Sequence, residues 1–226
     1  MIDYNLLDKE VRKVLEKDKT GHSMDHIYKV LKNANRLMDL IAKDHDKDIV
    51  KVACYLHDVD DYKIVGEEES QKLTNTHRIL SLLDMTQEQK KHVVTIMNSI
   101  GLSKQLDDVH PSTLEGTIVS DADKLDLGAN GIVRTFEYGF HVNRPVFDVN
   151  ILPVKHKSSK EYKGPHRPSI NHFFERLLII KDLMYNQEAR KLAEKRHKIA
   201  YDFLENFFEE RHEDCSKWLE LLAKYK

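Results

Sequence analysis

The sequence predicts an all-α protein: a single-domain helical bundle with one long loop between a front and a back group of helices. Three observations carry this. Only 8 Gly and 5 Pro occur in 226 residues; apolar residues recur mostly at spacings of three and four; and the period-two alternation of strands is scarce. Residues 3–17 make a first amphipathic helix. Residues 22–44 make a second, whose stripe Ile27, Val30, Leu31, Ala34, Leu37, Met38 and Ile41 faces a core. His26 lies four before Val30, on that stripe. A third helix at 46–58 aligns Val50, Ala53, Cys54 and His57 on one face, because positions three, four and seven apart line up. Further helices are expected near 69–83, 86–99, 112–127 and 129–139, separated by short polar turns such as Asp84-Met85-Thr86.

The segment 141–168 departs from this pattern. It holds Pro145, Pro153, Pro165 and Pro168 and has no sustained periodicity, so it reads as a long loop. Its charge is one-sided, with Arg144, Lys155, Lys157, Lys160, Lys163 and Arg167 against Asp148 and Glu161. Loops of this length in compact domains are often functional; an anion-binding lid and a solvated basic connector are the two readings. After it come 170–183, a charged helix at 187–211 and a tail helix with Trp218, Leu221 and Leu222, which are expected to brace the front half. The domain plan is thus a core at about 20–140, the loop at 141–168 and bracing helices at 169–226.

Composition excludes several classes. With 40% hydrophobic and 33% charged residues and a formal net charge of -2, the chain is expected to bind neither extended nucleic acid nor an anionic membrane. No window reaches the ~18 apolar residues of a spanning helix, and residues 1–5 lack the basic start of an export signal. Cys54 and Cys215 are far apart and support neither a disulfide framework nor a C-x-x-C site, so a reducing, cytoplasmic setting is expected.

The chemistry concentrates at His57-Asp58, which ends the apolar run 49–56 where a core would normally close. Polar groups there need a partner. His26 upstream and the cluster Ser120-Asp121-Ala122-Asp123-Lys124-Leu125-Asp126 downstream make a divalent cation the common partner. Two imidazoles and two carboxylates suit Mn, Fe, Mg or Ni in octahedral geometry better than structural zinc. Four protein ligands on such an ion leave positions for water and a substrate oxygen, which is hydrolase chemistry. Counting about 100° per residue, Asp121 and Asp123 sit equally far from the stripe Ile118, Ala122, Leu125, and Asp126 sits nearer its centre. Periodicity does not choose among them.

His26, then His57-Asp58 about 31 residues later, then Ala122-Asp123-Lys124-Leu125 resembles the H…HD…D signature of the HD-domain metal-dependent phosphohydrolases. Gly21-His22-x-x-x-His26-Ile27-x-x-Val30, Leu56-His57-Asp58-Val59-x-Asp61 and Gly131-Ile132-x-Arg134-Thr135-Phe136 are similar to the stand-alone YpgQ/YedJ-like group, as is the C-terminal stretch from Ile170-Asn171-His172 to Arg196-His197. The resemblance covers nearly the whole chain. It implies an HD-type helical fold, metal ligands His26, His57, Asp58 and Asp123, and one divalent ion. Asp121 and Asp126 are then left to cap or support. It further implies a catalytic role for Asp61, four residues after His57, as a carboxylate that orients or deprotonates water.

Lys124, Arg134, Arg144 and Lys155 are candidate phosphate-binding cations, since charge developing on phosphoryl oxygens needs fixed positive groups. A second metal would need more histidines. His77, His92 and His110 lie in the right interval, but His92 follows Gln89-Lys90-Lys91 on a polar face, so a single ion is expected. The function expected is hydrolysis of a nucleotide or related small phosphorylated metabolite, in one version releasing pyrophosphate from nucleoside triphosphates. The alternatives are a nucleotidase removing one phosphate and a non-catalytic metal- or nucleotide-binding regulatory module.

Overall fold

The computed structural model describes residues 1–16, 18, 21–162 and 167–226, and among them every regular element is helical. The chain divides into two compact units, Met1–Asp123 and Lys124–Lys226.

In the first unit, α1 (Tyr4–Leu15) starts at Asp3, whose carboxylate accepts from the backbone N–H groups of Asn5 and Leu6. The next helix, α2 (Met24–Leu40), buries Ile27, Val30, Ala34, Leu37 and Met38 on the stripe expected from sequence, and His26 with them. It stops at Leu40 because Ile41 turns extended, short of the expected residue 44. α3 (Lys47–Leu56) is capped by Asp46 and buries Val50, Ala53 and Cys54. His57 is its C-terminal cap residue, which puts the His57-Asp58 pair at the helix end.

The helix expected at 69–83 is broken. In its place stand α5 (Glu67–Lys72) and α6 (Thr74–Ser81), preceded by the short α4 (Tyr62–Val65), with Leu73 in the left-handed conformation at φ 52. The cause is Asp60. Its carboxylate accepts from the backbone N–H groups of Asn75 at 2.9 Å and Thr76 at 2.8 Å, so it caps α6 from outside the local sequence. α7 (Gln87–Met97) opens with a Thr86/Gln89 capping box, and α8 (Leu102–Leu106) is a short helix that periodicity did not predict.

α9 (Leu114–Lys124) carries Asp123, and its last residue opens the second unit. The buried Asn33 of α2 donates from Nδ2 to the Ala122 carbonyl at 3.0 Å, which ties α2 to α9 one residue before Asp123. Asn33→Ala leaves that carbonyl without its donor and is expected to destabilise the chain by about 1–3 kcal/mol. Denaturant unfolding measures this, and an unchanged midpoint would rule out the tie.

In the second unit, α10 (Ala129–His141) follows Gly128 at φ 76, where a Cβ would lie 3.1 Å from Arg196 Cβ, so only glycine fits. The expected loop is largely irregular apart from α11 (Ser159–Tyr162), but its first part is anchored. Ser169 donates to the Pro145 carbonyl at 2.8 Å, Asn171 Nδ2 to Ile151 at 2.7 Å, and Trp218 Nε1 to Val149 at 3.0 Å. Lys163 and Pro165 lie outside the described residues.

The segment 170–183 forms three short pieces: α12 (Ser169–His172), a π-helical turn at Phe173–Leu177 and a 3-10 turn at Ile180–Leu183. The widened turn lets two consecutive aromatics bury. Phe173 stacks on Phe203 at 5.5 Å, and Phe174 meets Trp218 at 5.5 Å. α13 (Gln187–Glu209), α14 (Ser216–Leu222) and a final 3-10 turn at Ala223–Tyr225 close this unit around Trp218.

Candidate metal centre

Four donors from α2, the end of α3 and α9 converge in the first unit. His26 Nε2 lies 3.1 Å from His57 Nε2, 3.4 Å from Asp58 Oδ2 and 3.3 Å from Asp123 Oδ1. His57 Nε2 lies 3.1 Å from Asp58 Oδ2 and 3.8 Å from Asp123 Oδ1. Around a six-coordinate ion with bonds of ~2.1 Å, adjacent donors stand about 3.0 Å apart and opposite ones about 4.2 Å. The observed spacings fall in that interval. Both imidazoles are 3% exposed, and the Asp58 and Asp123 side chains are 12% and 19% exposed, which leaves an open side at the carboxylates.

Local structure orients each donor. His57 Nδ1–H donates to the Cys54 carbonyl at 2.8 Å, one turn back in α3, so the Nε2 lone pair points at the other donors. Asp58 Oδ2 is buried and takes no hydrogen bond, although both imidazoles are within ion-pair distance. A buried carboxylate oxygen facing two aromatic nitrogens without a proper donor is the signature of a group awaiting a cation. The residues present fit a divalent metal.

The grouped side chains also shift one another's titration. Burial pushes the His57 imidazole down, but the charge of Asp58, the contact with it, the charge of Asp123 and the Cys54 carbonyl outweigh it and raise the group to about 9. Burial pushes Asp58 up, yet the charges of His57 and His22, the contact with His57 and the charge of His26 hold it well below the usual carboxylate range. Asp123 is likewise held low against its own burial, chiefly by the contact with His26.

Folded His57 therefore keeps its proton more tightly than it does in the unfolded chain. That stabilisation is complete below about pH 6.5 and is lost as pH rises through about 9. The chelated protein is expected to melt at falling temperature across this window. Saturating divalent ion, which takes the proton's place, should remove the decline. A flat melting curve without metal would show that His57 and Asp58 are not paired.

Asp61 is the N-terminal cap of α4, with Oδ1 accepting from Lys63 N–H at 2.9 Å. Its Oδ2 faces His22 Nε2 at 3.8 Å. His22, Asp58 and Asp61 offer ligand atoms that all lie within 4.8 Å of one another, a second grouping beside His26, His57 and Asp58. The sequence reading quoted His22 but gave it no role. The signal was its place four before His26.

Of the expected phosphate-binding cations, all in the second unit, Lys124, Arg134 and Arg144 have local partners. Lys124 is buried, donates to the Leu183 carbonyl at 3.0 Å and sits 4.2 Å from the Tyr185 ring centre. Arg134 pairs with the buried Asp126 at 3.1 Å. Arg144 stacks over the Tyr138 ring at 5.2 Å, and Lys155 is exposed. His77 is exposed, His110 meets Asp108 at 3.0 Å, and His92 meets Thr113 Oγ1 at 2.9 Å; none joins either donor grouping. Among the described residues no helix is long and apolar enough to cross a membrane.

An all-α scaffold with two histidines and two aspartates gathered from three helices defines a class of metal-site hydrolase folds. Comparison with known proteins makes the class definite. The HD domain family model matches residues 24–128. A crystal structure of an HD-superfamily hydrolase from Bacillus thuringiensis is 34% identical, covers 90% of this chain and 94% of its own, and superimposes with a TM-score of 0.62. The chain belongs to the HD superfamily of hydrolases. A Lactobacillus plantarum protein of solved structure is 26% identical, covers 97% of this chain and 99% of its own, and has a TM-score of 0.79. The Bacillus subtilis protein YpgQ is 27% identical over 206 residues, 86% of each chain, and its crystal structure in complex with ADP has a TM-score of 0.68.

Proposed function

We propose that this protein is a metal-dependent phosphohydrolase acting on a nucleotide or related small phosphorylated metabolite, with a divalent ion (Mn, Fe, Mg or Ni) held by His26, His57, Asp58 and Asp123. The observation that carries the reading is the buried Asp58 Oδ2, without a hydrogen bond and 3.1 Å and 3.4 Å from two imidazole nitrogens. When bound, such an ion supplies Lewis acidity toward a phosphoryl oxygen and makes water acidic enough to attack near neutral pH. The chain's own residues do the rest. The Cys54 carbonyl holds His57 in the tautomer that presents Nε2, and Asn33 holds the α9 backbone beside Asp123. Asp61, 22% exposed at the edge of the group, orients and deprotonates the attacking water.

The nucleotide part of the reading is supported by YpgQ, which was crystallised with ADP. Phosphate binding would fall to the exposed Lys155 first, with Arg144 sharing charge already stacked over Tyr138. Lys124 and Arg134 would serve only by sharing charge already turned toward Leu183, Tyr185 and Asp126. A screen of nucleotides and sugar phosphates in metal-supplemented buffer, with products identified by phosphorus NMR, tests the proposal. Pyrophosphate as product supports the triphosphate version and orthophosphate the nucleotidase version. No turnover of any phosphate ester or anhydride by metal-loaded protein would overturn it.

A further inference from the structure

We propose that Asp60 and Asn75 are positioning residues of the metal centre. Together they fasten Val59 and Asp60, the two residues between the ligand Asp58 and Asp61, to the start of α6, and so fix where the Asp58 carboxylate stands. The inference rests on the reading of His26, His57, Asp58 and Asp123 as holders of a divalent ion.

After α3 ends at Leu56, the chain from His57 to Asp61 runs outside any helix until α4 opens at Tyr62. Within this stretch the backbone makes two turn bonds, Val59 N–H to the Leu56 carbonyl at 3.2 Å and Asp61 N–H to the Asp58 carbonyl at 3.0 Å. Bonds from α6 add the long-range restraint. Asp60 Oδ1 accepts from the Asn75 N–H at 2.9 Å, and Oδ2 accepts from the Thr76 N–H at 2.8 Å. In the opposite direction, Asn75 Nδ2 donates to the Val59 carbonyl at 3.0 Å. Donors and acceptors on both segments are thus engaged, and neither segment can slide past the other without breaking a bond. Val59 is fully buried and Asp60 is 6% exposed, so water is a poor substitute for either contact.

Capping of α6 does not by itself account for this arrangement. The residue at the cap position, Leu73, has no side-chain oxygen and sits in the left-handed region at φ 52 and ψ 43, which leucine disfavours. A serine or aspartate at position 73 in ordinary backbone would cap the helix locally. The cap comes instead from a carboxylate two residues beyond a metal donor, and strained backbone of this kind gathers at functional sites. The bond from Asn75 Nδ2 adds nothing to the cap, because it ends on the Val59 carbonyl next to Asp58. Its effect falls on the ligand-bearing stretch. Asp58 Oδ2 stands 3.1 Å from His57 Nε2 and 3.4 Å from His26 Nε2, and a small drift of its backbone would spoil both spacings.

The test is Mn²⁺ binding to the chelator-stripped full-length protein, with affinity measured by calorimetry, ligand geometry by the zero-field splitting in electron paramagnetic resonance, and melting temperature on the same samples. Asn75→Ala removes the Val59 bond and leaves both backbone donors to Asp60 in place. It is expected to weaken Mn²⁺ by about 10–100-fold, the range typical of groups that orient a metal ligand, and to broaden the Mn²⁺ signal. Asp60→Asn keeps the side chain's shape but turns one of its two acceptors into a donor, and should weaken Mn²⁺ by a similar factor. Thr86→Ala, which strips the cap of α7, shows what lost stability alone does: a lower melting temperature with parental affinity and signal. Parental affinity and signal in Asn75→Ala, or in folded Asp60→Asn, overturn the proposal and leave the metal reading standing. Loss of affinity in Thr86→Ala as large as in Asn75→Ala overturns it too, and a parent chain that binds no Mn²⁺ overturns both the proposal and the metal reading. Should Asp60→Asn fail to fold, Asn75→Ala decides by itself.

Discussion

Asp58→Ala and His57→Ala are each expected to abolish metal binding and hydrolysis while leaving helical content at the parent level. The loss should be total within detection. Each replacement removes a donor from the His26, His57 and Asp58 group, whose spacings match a single ion, and the chemistry proposed for the metal has no substitute among the neighbouring side chains. The fold should survive although His57→Ala removes the chief positive neighbour of the buried Asp58 carboxylate, because burial then pushes that carboxyl toward its neutral form. Once Asp58 is gone, burial itself drives His57 to its neutral form, which keeps its hydrogen bond to Cys54. The hydrophobic cores of both units stay intact, since His57-Asp58 follows α3 rather than interrupting its buried face. Circular dichroism, elemental analysis and turnover on the same samples make the check. Full activity of either variant in metal-supplemented buffer would sink the proposed mechanism.

Asp61→Asn is expected to lower kcat by about 10²–10⁴-fold with a much smaller change in KM, the range typical of a lost general base or water-orienting group. The substitution keeps the shape of the side chain and one acceptor for the Lys63 N–H that starts α4, so the local fold is preserved. What disappears is the negative charge 3.8 Å from His22. A structural role limited to capping would leave kcat within a few-fold of the parent and appear as reduced thermal stability instead. Equal falls in kcat and stability in Asp61→Ala, with rescue of both in Asp61→Asn, would assign Asp61 to capping and remove it from the chemistry.

Much of the fold was legible because helices with one dry face announce themselves locally. The stripe from Ile27 to Met38 in α2, the Val50, Ala53, Cys54 face of α3 and the long charged α13 all follow from spacing alone. The break at Leu73 was not legible, because its cause is the Asp60 carboxylate reaching 15 and 16 residues along the chain to cap α6. The π-helical turn at Phe173–Leu177 was hidden for a related reason. Burying two adjacent phenylalanines against Phe203 and Trp218 outweighs regular α geometry, and those partners lie far along the sequence.

The candidate site divides the same way. His26 on a core stripe and His57-Asp58 at a helix end could be read as polar groups in need of a partner, and the resemblance to HD hydrolases gave that partner a class. Periodicity left Asp121, Asp123 and Asp126 open. Three-dimensional contacts separate them: Asp123 Oδ1 lies 3.3 Å from His26, whereas Asp126 is paired with Arg134. His22 had no role assigned from sequence, although it stands four before His26. In fact α2 begins at Met24, so His22 precedes the helix and turns toward Asp61.

The amino-acid order by itself therefore determined which stretches are helical, which faces are dry and which residue types stand ready to bind a divalent ion. Those properties depend on neighbours within one or two turns. Tertiary structure alone decided that Asp123 Oδ1 lies 3.3 Å from His26, that the expected phosphate-binding Lys124 and Arg134 already have partners, and that His22 and Asp61 face each other across 3.8 Å. Each of these is a contact between distant segments, set by how helices pack and where a buried carboxylate finds its donors, and no local pattern encodes it.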